Sequence, residues 1–336
     1  MDQADLPHAR RAVVLVLGGS GFIGRHAVTA LLVRGAQVII GSRQPGRIDR
    51  KLPEGALTCL RRQARLEELQ TPDDWAAALE GIDAVVNCVG ILRQRGRETY
   101  QRVHHHAPAA LAEACRQRQL RLIHVSALGL NHPARSRFLR SKVDGEAALR
   151  ASGADWRIVR PSLLDGDGGY GALWIRRVAH WPIQLLPADA VGQIAALDVG
   201  ELGEALAHLA LRIETTTPDD RDREFDLGGP DQRTLSDYIA AIRRLHHDKP
   251  ARCLRVPSLL ARLGSHVCDL LHWTPFSFGH WELLRHDNCP QRNRLPELLG
   301  RAPRAIGAAP AGSGMAATPS IHGDHEVAVM PAPMGE

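Results

Sequence analysis

Five apolar residues, Val13-Val14-Leu15-Val16-Leu17, run directly into Gly18-Gly19-Ser20-Gly21-Phe22-Ile23-Gly24. A segment with apolar residues at helical spacing follows, at Ile23, Ala27, Val28, Leu31 and Leu32. A buried strand, a glycine turn and a helix in that order admit few folds. Early glycines allow a tight turn and let the backbone approach a pyrophosphate. The last lets the helix pack close to the strand, and the helix N-terminus supplies N–H donors and positive potential. The segment contains both GxxGxxG (Gly18, Gly21, Gly24) and GxGxxG (Gly19, Gly21, Gly24). A glycine triplet alone marks only a turn; its place between strand and helix makes it a candidate dinucleotide cradle.

The alternation continues. Val38 to Ile40, a short stretch near Ala56 to Leu60, Ala84 to Cys88, Leu120 to Ser126 and Trp156 to Arg160 read as strands. Asp74 to Leu79, Glu98 to Arg118 and Arg137 to Arg150 read as the helices between them. Strand–helix alternation at this spacing implies a parallel sheet covered on both faces. The expected fold is therefore α/β, a Rossmann-type doubly wound parallel sheet over residues 11–230 with a substrate-side insertion at 163–192. A smaller, mostly helical C-terminal lobe is expected over 231–300, and a disordered tail over 301–336, where Ala, Pro, Gly and Ser dominate without periodicity.

Composition excludes several classes. The net charge of +5 is spread along the chain, without the dense basic and aromatic stripe of a nucleic-acid binder. The six cysteines are scattered and form no CxxC pair, which fits reduced thiols in a cytoplasmic protein. No apolar stretch is long enough to span a membrane, although peripheral contact at its inner face stays open. His104-His105-His106 does not read as a metal tract, because consecutive helical residues diverge by about 100°. Asp165-Gly166-Asp167-Gly168-Gly169 is too short for a calcium loop and reads as a mobile loop on the substrate side. The stretch from Leu270 to Leu284, with Trp273, Phe276, Phe278 and Trp281, suits packing onto the sheet domain, a lid, a partner patch or a membrane-surface anchor.

The end of the second strand bears on the choice of cofactor. Sites for NAD(H) place an acid there for the ribose 2′-hydroxyl, whereas this chain has Gly41-Ser42-Arg43 and Arg47, with no acid close by in sequence. An arginine fork suits a 2′-phosphate, so NADP(H) is expected rather than NAD(H).

Gly18 to Gly24 with Arg43, Asn87-Cys88-Val89-Gly90, His124-Val125-Ser126-Ala127, Ser141-Lys142 and Arg160-Pro161-Ser162 resemble the ordered landmarks of the extended and atypical short-chain dehydrogenase/reductases, the NAD-dependent epimerase/dehydratase-like proteins. Gly18 to His26, Val86 to Leu92 and His124 to Gly129 are most similar to the branch containing the dehydrogenase-like accessory subunit of respiratory complex I and its bacterial relatives. The likeness covers about residues 11 to 230 and continues more loosely to about 300. It implies Gly18, Gly19, Ser20, Gly21, Phe22 and Ile23 at the pyrophosphate, and Ser42 and Arg43 at the 2′-phosphate. Cys88, Val89 and Gly90 would lie under the adenosine side, with Ser126, Lys142 and Pro161 around the nicotinamide ribose. In active members a Tyr-x-x-x-Lys pair works with a serine: the tyrosine exchanges a proton with the substrate oxygen, the lysine lowers its pKa, and the serine polarises the oxygen. Ser126 and Lys142 match; the tyrosine position is Phe138. No other tyrosine rescues the motif, since His104, Trp174 and Ile242 stand four residues after Tyr100, Tyr170 and Tyr238.

Two functions remain open at this point: an NADPH-dependent oxidoreductase on a small-molecule substrate, with another group such as Lys142 as its acid, or a catalytically silent NADP(H)-binding accessory, assembly or redox-sensing subunit of a larger complex. Both require Arg43 to select the cofactor. Arg43→Ala is therefore expected to lower the ratio of NADPH to NADH affinity in fluorescence titrations; an unchanged ratio removes Arg43 from that role.

Overall fold

The computed structural model describes residues 10–46, 52–130, 132–211, 220–247, 249–271 and 277–306. Arg47, Trp273, Phe276 and residues 307–336 of the expected tail lie outside these.

The central sheet draws on strands β1 (Val13–Leu17), β2 (Gln37–Ser42), β3 (Leu60–Gln63), β4 (Ala84–Asn87), β5 (Arg121–Val125) and β6 (Asp155–Pro161). Helices α1 (Phe22–Val33), α2 (Ala107–Gln117) and α3 (Arg137–Ala151) connect them. The chain then forms β7 (Leu164–Asp165), α4 (Tyr170–His180), β8 (Ile183–Pro187), β9 (Gln193–Ile194), β10 (Leu197–Asp198) and α5 (Val199–Leu211). It returns to the sheet with β11 (Glu224–Leu227) and continues through β12 (Arg233–Thr234), α6 (Leu235–Arg244), β13 (Arg252–Val256), α7 (Ser258–Leu271), α8 (Phe278–Leu284) and α9 (Leu295–Leu299). The seven-stranded sheet has the order β11-β6-β5-β4-β1-β2-β3. Every pairing in it is parallel.

At the centre of the sheet β1 and β4 are almost wholly apolar because both faces are buried. On β1, Val14 and Val16 join the core beneath α1 and α5, while Leu15 and Leu17 join Trp75, Leu111 and Trp156 on the other side. The strand order reverses between β1 and β4, so a crevice opens at their C-terminal ends. A smaller core of Val178, Leu186, Ile194, Tyr238, Ile239 and Ile242 holds the lobe above that crevice. Residues 295–299 come back to the sheet domain, with Leu295 and Leu298 in the α1/α5 core. Beyond them Arg301 pairs with Glu201 and Glu204 on α5, and Ile306 packs on the lobe.

Three elements differ from the sequence expectation. The strand anticipated near Ala56 to Leu60 starts at Leu60, because Glu54–Ala56 turns as a 3₁₀ helix after Pro53. The segment anticipated as a helix from Asp74 closes as a short 3₁₀ turn, Pro72–Trp75, fixed by a Thr71/Asp74 capping box. The helix expected from Glu98 opens as a π-helical turn, Gln101–His106, before α2. Pro108 explains the last: it has no N–H for the His104 carbonyl, so the turn widens and Ala107 N–H reaches back to Arg102 O.

That widened turn meets α3 backbone to backbone. A Cβ placed on Gly145 would lie 2.0 Å from the His104 carbonyl oxygen. Gly145→Ala is expected to cost about 3 kcal/mol through overpacking that neither backbone can relieve. Urea unfolding measures it, and a variant as stable as the parent would mean that α3 sits elsewhere.

Candidate active site

One cavity of about 1040 Å³ runs from the glycine turn into the lobe. Its wall contains every expected site residue except Gly19: Gly18, Ser20, Gly21, Phe22 and Ile23 on the turn; Ser42 and Arg43; Cys88, Val89 and Gly90; and Ser126, Phe138, Lys142 and Pro161. Gly19 points inward instead, where a Cβ would press on Val16 O and the Ile40 side chain.

The turn is built for a close approach. Gly18 has φ +71°, and its N–H donates to Gly41 O at 2.8 Å, tying the turn to β2. Gly24 lies so near Gly18 that a Cβ would sit 2.1 Å from the Gly18 oxygen. The first hydrogen bond of α1 runs from Arg25 N to Gly21 O, and no side chain caps the helix, so the N–H groups of its first turn face the crevice. A pyrophosphate fits this cradle of bare backbone. Cys88 forms part of the floor, where burial pushes its thiol up to about 12.

At the end of β2, Arg43 is paired with Glu98, which also lines the cavity together with Glu67. No acid stands near Arg43 in sequence, but the fold brings one from 55 residues downstream. The segment 165–169, expected to be mobile, is held at several points. Asp165 and Asp167 pair with Arg176, Arg25 donates to the Asp167 carbonyl, and Gly169 packs against Phe22.

The chemical end is organised by α3. Phe138, Lys142 and Glu146 are spaced by one helical turn each and form a single stripe. Lys142 is half-buried in the cavity wall; burial pushes its ammonium down to about 8, against the pull of Glu146. Glu146 is buried, and burial alone would raise it. Hydrogen bonds from Arg160 at 2.8 and 2.7 Å, the charge of that guanidinium and the nearby Arg150 hold it below the usual glutamate value. Glu146 thus stays ionised beneath both Ser126 and Lys142. Sequence reasoning passed it over, although its place one turn after Lys142 was a usable signal.

Two histidines frame the lysine, and both are neutral. His104 Nε2 accepts the Ile91 N–H at 3.0 Å, so Nδ1 carries the proton and donates to Ser141 Oγ at 3.0 Å; Ser141 passes a hydrogen bond to Phe138 O. Burial and the nearby Lys142 charge lower His104 well below its ordinary value. With both nitrogens engaged it orients α3 and has no proton to give. Asn87, oriented by the Val89 N–H, donates to His124 Nδ1 at 3.1 Å, and burial with Lys142 lowers His124 to about 4. A third histidine, His280 of α8, stacks on Phe138 and is lowered by burial to about 4.

Phe138 is boxed in by Tyr100, His104 and His280, with Lys142 Nζ 5.7 Å from its ring centroid. Its ring carries no exchangeable proton. The lobe clasps the same region: Glu282 accepts the N–H groups of Arg135 and Ser136 at 2.6 and 2.9 Å, while Asn288 ties Leu128 O to the Ser162 hydroxyl. Beyond Lys142 the wall turns apolar, with Leu163, Trp174, Val178, Leu186, Ile239 and Ala261. Among the described residues no group of His, Cys, Asp and Glu is placed to hold a metal.

Residues 18–176 match the family model described as NAD(P)H-binding, and the chain carries a domain of that kind. The ceramide reductase of Caulobacter vibrioides is 31% identical over 58% of this chain and 60% of its own length. The mitochondrial NADH dehydrogenase [ubiquinone] 1 alpha subcomplex subunit 9 of Mus musculus is 31% identical over 49% of this chain and 46% of its own. The chain thus spans about half to three fifths of the relatives it matches. A nucleoside-diphosphate-sugar epimerase from Staphylococcus aureus shares the fold, with a TM-score of 0.65 at 15% identity over 88% of this chain and 98% of that one. The chain accordingly carries an NAD(P)H-binding domain and shares the Rossmann-type fold of that epimerase. None of its described helices is long and apolar enough to cross a membrane.

With only three lysines in the chain, the state of Lys142 is directly measurable. Trinitrobenzenesulfonate should label Lys142 with a half-maximal rate near pH 8, because burial pushes its ammonium down to about 8. NADPH should protect it. Labelling of all three with one pH profile would show an ordinary solvated lysine.

Proposed function

We propose that the protein is an NADPH-dependent reductase of an apolar carbonyl compound, with Lys142 supplying the proton that a tyrosine supplies elsewhere. The observation that carries this reading is one cavity: the dinucleotide cradle, Ser126 and Lys142 all line it, and its far arm is apolar. The bound dinucleotide supplies a hydride to the carbonyl carbon. Ser126 holds the carbonyl oxygen, and Lys142, about half ionised near pH 8, donates a proton to that oxygen as negative charge develops there. Glu146 stays anionic under Lys142 and favours return of the proton from solvent. Neutral His104 and His124 add no competing charge beside the ammonium.

NADPH is favoured over NADH by the Arg43 fork and the Ser42 hydroxyl at the cavity edge. Arg43 is largely exposed, so it can turn from Glu98 toward a 2′-phosphate. The apolar arm agrees with the ceramide reductase relative, whose name specifies a lipid substrate.

A second reading, a silent NADP(H)-binding subunit of a larger complex, draws on Phe138 and on the similarity to the mitochondrial subunit. Purified protein tested with NADPH against long-chain ketones, aldehydes, enones and quinones separates the two. The reductase reading expects NADPH oxidation with at least one apolar carbonyl, abolished in Lys142→Met, and a gain of about 10²-fold in kcat for Phe138→Tyr. NADPH retained but oxidised by none of the panel, in a protein that co-purifies with a larger assembly, establishes the second reading instead.

A further inference from the structure

The lobe exposes an apolar rim that the reductase reading does not use. On α7, Leu259, Leu263, Val267 and Leu270 are 68%, 55%, 52% and 77% exposed and recur at helical spacing along one stripe. The neighbouring face of the same helix, with Ala261, Gly264 and Cys268, lines the cavity. Beside it β8 and β13 form a two-stranded parallel ribbon whose paired Leu185 and Leu254, with Ile183, are exposed on one face. Leu185 and Leu260 belong to both surfaces, exposed to solvent and lining the cavity, so the cavity opens through this rim. Exposed apolar surface gathered at one mouth calls for a partner.

Charge identifies that partner. From Lys249 to Cys268 the chain carries Lys249, Arg252, Arg255 and Arg262 without a single carboxylate. All four are exposed. The next acid, Asp269, is turned inward to the Phe278 N–H and Arg93. Basic residues around an amphipathic helix and an apolar ribbon suit a surface that is hydrocarbon within and anionic at its edge.

We propose that this rim docks on an anionic lipid bilayer, setting the mouth of the cavity at the membrane surface. A long-chain compound dissolved in the bilayer then reaches the cavity without crossing water. Docking stands on the surface alone; only the passage of substrate rests on the reductase reading.

The test is co-sedimentation of the full chain, saturated with NADPH, with vesicles of phosphatidylcholine alone or mixed with phosphatidylglycerol. Binding is expected to the mixed vesicles, and weakly or not at all to the neutral ones. Leu259→Glu with Leu263→Glu should lower it by about tenfold or more, and Arg255→Gln and Arg262→Gln by roughly fivefold each. NADPH affinity should be unchanged in every variant, which shows that the sheet domain is folded. The result is independent of turnover, so an inactive protein that binds vesicles refutes the reductase and leaves docking intact. No binding to mixed vesicles, or equal binding by the glutamate variant, overturns the proposal. So does a dimer in sedimentation equilibrium that the glutamate substitutions dissolve, which would assign the rim to a second copy of the chain.

Discussion

The contact between Gly145 and the His104 carbonyl governs the site, because it brings two backbones together with no side chain between them. Once α3 lies against the π-helical turn at that distance, its stripe of Phe138, Lys142 and Glu146 has one place to go. His104 then reaches Ser141, Glu282 receives the N-terminus of α3, and Arg160 on β6 meets Glu146. Each link joins elements distant in sequence. A widened helical turn, a glycine and a proline together decide where the Lys142 amine stands.

Much of this was legible in the sequence. The glycine turn and the strand–helix alternation follow from local patterns, and local patterns survive folding because both faces of a central parallel strand must be apolar; the Ser126/Lys142 pair came from the family resemblance. What escaped depended on long-range encounters. Glu98 meets Arg43 because the loop after β4 folds over the end of β2, and no spacing rule connects residues so far apart. His280 reaches Phe138 only through the return of the lobe. The π-helical turn was hidden for a different reason: Pro108 shifts the hydrogen-bond register by one residue while leaving the apolar pattern helical. Glu146 alone was within reach of a sequence argument, standing one helical turn after Lys142 on the same face of α3.

Two opposing effects set the character of Lys142. Burial disfavours the ammonium, and Glu146 favours it; burial prevails. Had Glu146 been closer in influence, the lysine would hold its proton too firmly to part with it near neutral pH. Had Arg160 been absent, burial would raise Glu146 toward protonation and the restraint on Lys142 would vanish. Arg160 also accommodates Glu224 and Asp226, so one guanidinium distributes its charge over three carboxylates beneath the sheet's edge. Removing Arg160 would cost most at buried Glu146, whereas Glu224 and Asp226 keep contact with water.

The thiol of Cys88 in the floor of the crevice has a consequence for oxidative chemistry. Attack on peroxide or on a disulfide requires the thiolate, and a sulfhydryl kept this reluctant to ionise supplies almost none. Oxidants would therefore reach exposed Cys253 before they alter the crevice. A redox signal read at the floor of the crevice would be carried by the ratio of reduced to oxidised nucleotide occupying it, and not by the sulfur of Cys88.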